Sequence, residues 1–145
     1  GLPDIKQVES VVEAELSAQA FRTGLAVIHV DIRYPNRTAP PTDASMAAIL
    51  GAVRQGLRDA DMLFRSGDHT LLAVLPATDR ETAAEIAATI RRNLGKIAAS
   101  HSVAASIGLG AASAPSDGST LTGLIETAKR RMTGTIGGTW PSSVH

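Results

Sequence analysis

Residues 61–76, DMLFRSGDHTLLAVLP, constrain this chain more than any other stretch. Two apolar runs, DMLFR and HTLLAVLP, flank a tight turn at Ser66-Gly67-Asp68. Each run has strand length, and glycine supplies the backbone freedom that a tight turn asks for. The runs pair as a hairpin, so the sheet has an antiparallel step in its middle and a purely parallel sheet is excluded.

The flanking segments read outward from this hairpin. LAVIHVDI (25–32) is a continuous apolar run with β-branched residues, a buried strand, and SVAASIGLGA (102–111) is a second one. Ile5, Val8, Val12, Leu16 and Ala20 recur at spacings of three and four over residues 4–22, an amphipathic helix ended by Gly24. This helix either packs on its own domain or continues upstream as a signalling helix. Residues 44–58 and 79–95 are helical, the second started by Thr78 or Asp79 and stopped by Gly95. A last helix covers 120–132, and the Gly-rich GTIGGTW (134–140) leads toward a final edge strand. RYPNRTAPPTD (33–43), with three prolines, is a loop. The predicted order is α, β, α, β, β, α, β, α and a closing β.

At 145 residues the chain holds one core, with residues 1–23 as a signalling or linker helix and 24–145 as the domain. Aromatics are only 3%, so that core is built from Ala, Val, Ile and Leu. The absence of cysteine excludes disulfides, thiolate metal sites and thiol nucleophiles. Fourteen basic residues balance fourteen acidic ones, which argues against a nucleic-acid or membrane-surface partner. No apolar run approaches the roughly 20 residues that span a bilayer, and no signal peptide is visible.

Most small motifs fail their own tests. SIGLGAAS starts like a dinucleotide fingerprint, but its third glycine position is Ser113; its glycines read better as places of close backbone packing. GTIGG lacks the Lys-Ser/Thr of a phosphate loop. His29, His69, His101 and His145 show no metal-ligand spacing, and His29 reads as a core-edge residue. Arg58-x-x-Asp61 and Arg65-x-x-Asp68 are each weak alone, since charged helix ends are usually solvated surface.

Taken together, LFRSGDHTLLAVLP, ETAAEIAATIRRNL, VAASIGLGAAS and LIETAKRRM resemble, in order, the conserved segments of the GGDEF (diguanylate cyclase) family over nearly all of residues 8–140. The resemblance implies an α/β fold of nucleotidyl-cyclase type with a ferredoxin-like core: a central mixed, mostly antiparallel sheet flanked by helices. It also implies a damaged active site. The signature becomes Gly67-Asp68-His69-Thr70-Leu71, GDHTL in place of GGDEF. Thr70 stands where the family has a metal-holding carboxylate, and Asp68 where a glycine meets the triphosphate. Asp31 matches the first metal Asp and Arg33 the second; a shift by two places His29 and Asp31 there instead, and neither register restores both carboxylates. Asn36 is a loose match to the base-reading Asn, and Asp43 matches the final Asp of that loop or is only a helix cap. The late Lys-x-x-Gly-Arg-Asn is reduced to TIGGTW, without its cations. Loss of cyclase activity follows, with no metal and no cofactor held.

One family site is retained. Many members carry an inhibitory Arg-x-x-Asp five residues before the signature, and Arg58 and Asp61 stand at that spacing from Gly67. In that role the Arg fork meets guanine O6 and N7 or a phosphate, and the carboxylate accepts from guanine N1–H and N2–H. Arg91 and Arg92 lie near the place of a further cation, and Arg65 is another candidate. The expected function is a regulatory module that binds cyclic di-GMP, as a stacked dimer, and relays it to another domain of the polypeptide or to a second copy through the N-terminal helix. A ligand-free dimerisation module, a GTP sensor without turnover and a residual enzyme are the alternatives. The expected location is the cytoplasm, and a larger membrane-anchored bacterial parent is one arrangement open to such a piece.

Overall fold

The computed structural model describes Asp4 and residues 24–33, 43–67, 69–101, 106–114, 116–118 and 120–136. The expected N-terminal helix (apart from Asp4), the proline-rich loop with Asn36, and Asp68 lie outside the described residues.

Five strands form one sheet: β1 (Leu25–Arg33), β2 (Met62–Gly67), β3 (Thr70–Pro76), β4 (Ser106–Ala114) and β5 (Thr133–Ile136), in the order β2-β3-β1-β4-β5. Helix α1 (Asp43–Gly56) joins β1 to β2, α2 (Arg80–His101) joins β3 to β4, and α3 (Leu121–Arg130) joins β4 to β5. The first four strands with α1 and α2 make the β-α-β-β-α-β arrangement of a ferredoxin-like core. All four strand pairings are antiparallel, and the parallel component among the described residues is an isolated bridge between Asp4 and Arg65.

Why β1 reads as an unbroken apolar run is now clear, since it lies in the middle of the sheet and both its faces are covered. Ala26, Ile28, Val30 and Ile32 enter the larger core with α1 and α2, while Leu25 and Val27 enter a second core under α3. β3 divides the same way, Leu71, Ala73 and Leu75 against Leu72 and Val74. Along α2, Ala83, Ile86, Ala87, Ile90 and Leu94 carry the helical repeat that faces the larger core. Asp79 caps α2, its Oδ1 accepting from Thr82 N at 2.7 Å. Thr120 caps α3, accepting from Gly123 N at 3.1 Å. No helix among the described residues is long and apolar enough to cross a membrane.

Two expectations need adjustment. Gly95 does not stop α2, which continues to His101. A Cβ at Gly95 would meet open space, and Ile97 beyond it still packs on the core, so burial carries the helix past its weakest residue. β4 extends to Ala114, three residues past its expected end. The glycines of SIGLG do mark close packing: a Cβ on Gly110 would clash with the carbonyl of Ala128 at the end of α3.

Candidate functional site

The signature lies at one end of the β2–β3 hairpin. Asp31 on β1 is directly opposite Thr70 on β3 and Gly108 on β4. Opposed residues of an antiparallel pair share a face, so Asp31 and Thr70 look out on the side of the sheet that α3 covers further along. Thr70 Oγ1 accepts from Ser66 Oγ at 3.0 Å, which satisfies the hydroxyl locally. A Cβ at Gly67 would stand 2.5 Å from Thr70 Oγ1, so any other residue there requires the threonine hydroxyl to shift. The backbone carbonyl of His69 accepts from Ile32 N at 2.8 Å and pins the turn to β1, while Leu71 is buried in the larger core. His29 shares the face of Asp31 and is buried between Leu72 and Gly110, its Nδ1 without a hydrogen-bond partner among the described residues. Burial first, and then Lys129, hold this imidazole below its ordinary pKa, against an opposing pull from Asp31. Among the described residues no three His, Cys, Asp or Glu side chains gather into a metal-holding group. Divalent-ion catalysis of phosphoryl transfer asks for anionic oxygens around the ions, and here a carboxylate faces a neutral hydroxyl.

The second candidate lies at the opposite end of β3. After α1 ends at Gly56, the chain turns tightly, with Asp61 N donating to Arg58 O at 3.0 Å. Arg58 N donates to Asp61 Oδ2 at 2.8 Å. Its guanidinium closes a two-point fork on the same carboxylate, Nε to Oδ2 at 3.0 Å and Nη2 to Oδ1 at 2.8 Å. Nη2 also donates to the carbonyl of Pro76 at 3.3 Å and to Thr78 Oγ1. Thr78 is buried and passes its own proton to Pro76 O at 2.8 Å. Between them Ala77 adopts φ 49°, a left-handed conformation costly for a residue with a Cβ. The hydrogen bond to Asp61 raises the pKa of Arg58 above its ordinary value.

This geometry changes the part given to Asp61. Its side chain has 0% exposure and both oxygens face Arg58, whereas the Arg58 side chain is 42% exposed. In this conformation the carboxylate aims the guanidinium and offers nothing to a guanine edge itself. Helix α2 packs on the end of α1: Gly56 lies so close to Ile90 that a Cβ would stand 2.5 Å from its Cγ1, and Asn93 Nδ2 donates to Ala52 O at 3.2 Å. Arg91, between these two contacts in sequence, is half-buried. Arg92, one residue on, is exposed and donates to Thr89 Oγ1 at 3.2 Å. Arg65 stands apart, exposed on β2 opposite Leu71, four residues or roughly 13 Å along the strand from Asp61. Sequence reasoning gave Thr78 only the part of a helix start; a polar residue just after a strand-ending proline was the one signal that it braces the corner.

Residues 39–135 match the family profile of the diguanylate cyclase GGDEF domain. No curated protein matches the sequence. Among solved structures, a DGC protein from Thermotoga maritima matches with a TM-score of 0.72 at 15% identity, over 92% of this chain and 97% of that one. The active GGEEF domain of a diguanylate cyclase from Vibrio cholerae matches with a TM-score of 0.71 at 18% identity, over 90% and 88%. The GGDEF domain of DgcB from Caulobacter crescentus, solved in complex with c-di-GMP, gives 0.62 at 14% identity, over 89% and 82%. These structural likenesses concern the fold. The family profile covers most of the chain, and the chain belongs to the GGDEF family.

Proposed function

We propose that this chain is a GGDEF domain without cyclase turnover that binds cyclic di-GMP at the Arg58 corner and relays it to a partner domain or a second copy. The observation that carries the reading is the state of Arg58, held in an Arg-x-x-Asp motif that ends five residues before the signature, with its outer surface open. Its four acceptor atoms, on Asp61, Pro76 and Thr78, are all reached through Nε and Nη2. That leaves Nη1 as the nitrogen through which a guanine edge or a phosphate would be met. A guanidinium already fixed loses little entropy on binding. Arg91 and Arg92, on α2, are the further cations this reading assigns to the ligand. The likeness to a domain solved with c-di-GMP supports the ligand class. Asp4 bridges to Arg65 on β2, the strand that follows Asp61, which supports the N-terminal segment as the relay.

The pairing of Asp31 with Thr70 supports loss of turnover. A missing metal carboxylate removes several kcal/mol of transition-state stabilisation, on the order of a thousandfold in rate. Incubation with GTP and magnesium or manganese should yield no cyclic di-GMP, and its accumulation would overturn this part of the reading. Calorimetry with cyclic di-GMP should show saturable binding that Arg58→Ala abolishes. Arg58→Lys keeps the charge but not the fork and should lose most of the affinity while staying folded. Silence from the wild-type protein, or unchanged binding in both variants, would remove the proposal.

A second reading rests on the same bonds. Arg58 already serves the fold by tying the α1–β2 turn to the β3–α2 corner, which fits a ligand-free interaction module. That module is silent in the calorimeter and loses only stability on Arg58→Ala.

A further inference from the structure

We propose that a cleft at the open edge of β4 is a binding site for a small oxyanion, a phosphate or a carboxylate group. The cleft has a volume of about 110 Å³ and lies between the start of α2, the end of α3 and the outer edge of β4. Arg80 and Arg131 border it from the two helices, Ala83 and Ala111 line its walls, and Ser113 and Asp117 complete it.

The charges leave one cation over. Arg131 Nη2 donates to Asp117 Oδ1 at 2.7 Å, and Ser113 N donates to Asp117 Oδ2 at 2.9 Å, so both carboxylate oxygens are engaged. The Arg131 hydrogen bond holds this carboxyl below the usual range, and Arg80 contributes in smaller measure from across the cleft. Arg80 therefore faces an acid that another arginine has already neutralised.

The backbone adds a donor. Ser113 exchanges both its backbone bonds with Asp117, its carbonyl accepting from Asp117 N at 2.9 Å, so it faces away from β1. Alternation along the strand turns Ala111 the same way. The pairing of β4 with β5 runs from Ile107 to Leu109 and ends there, so the Ala111 N–H points out at the cleft. Finally, Ser113 is 2% exposed and its Oγ has no hydrogen-bond partner among the described residues. A buried hydroxyl left in that state calls for an explanation, and an occupant of the cleft supplies one. Two guanidinium groups and an outward amide border a space the size of one tetrahedral or planar oxyanion, with the unpartnered Ser113 hydroxyl buried in its wall.

The test is a titration of the whole chain with inorganic phosphate and, separately, acetate, at constant ionic strength set with sodium chloride. Saturable amide shifts at Ala111 and Ser113 are expected, and whichever anion produces them names the class. Arg80→Gln should weaken the effect about tenfold, the loss of one charge-assisted hydrogen bond. Arg54→Gln, on the exposed side of α1, should leave it unchanged. Ser113→Ala separates a binding role from a structural one: it should fold at least as stably in anion-free buffer yet lose the anion-dependent rise in Tm. A drift without saturation, or a response untouched by Arg80→Gln, overturns the proposal. The test uses no cyclic dinucleotide, so its failure is distinct from failure of the reading above.

Discussion

β3 has two ends, roughly 20 Å apart, and they have fared differently. At Thr70 the polar chemistry is slight: a hydroxyl answered by Ser66, opposite the Asp31 carboxylate on β1. At Pro76 it is dense, with one guanidinium bound to Asp61, to Thr78 and to the Pro76 carbonyl. The difference lies in what the fold itself requires. The pairings of β3 at position 70 are made by the backbone, so a change of side chain there leaves every strand pairing intact. Arg58 supplies three hydrogen bonds to a fully covered carboxylate, and its removal strikes the fold whether or not a ligand binds.

Substitutions at the two ends measure this contrast. Arg58→Ala should cost about 2 kcal/mol in urea unfolding, below the range for a wholly buried pair because water screens the exposed guanidinium. Replacing both partners, Arg58→Met with Asp61→Leu, should recover part of that loss; a double variant worse than the single one would break the argument. Thr78→Val removes one acceptor and one donor at the same corner and should cost about 1 kcal/mol. Thr70→Val, at the other end, should cost only a few tenths. Equal costs at Thr78 and Thr70 would erase the comparison.

The subtlest prediction concerns pH. His29 lies on the signature side of β1 with its folded pKa below the ordinary 6.5. The unfolded chain therefore takes up the proton first, so the contribution is complete above pH 6.5 and is lost as pH falls from there toward the folded value. Unfolding free energy followed from about pH 8 to about pH 5 should decline on the acid side, and His29→Leu should flatten that decline. An unchanged slope in the variant would assign the acid sensitivity to other groups.

The fold was largely legible because its signals are local. The unbroken run in β1 and the three-and-four spacing in α2 each follow from burial of neighbouring residues, and the Gly67 turn from the backbone freedom of one glycine. The resemblance pointed to Arg58 and Asp61, and the structure brings them together. Their internal geometry was not legible. Nothing in four consecutive letters says that Asp61 is sealed from solvent, or that Thr78, seventeen residues later, shares its arginine. The Asp117–Arg131 pair was hidden for the same reason, since it forms only when α3 returns to the β4 edge. Contacts made by distant chain segments leave no periodic trace.

Gly110 has a longer reach than its size suggests. The last turn of α3 rests on bare main chain there, with no room for even one methyl group before the carbonyl of Ala128. Every mutational route through that codon must first lift a helix off the sheet.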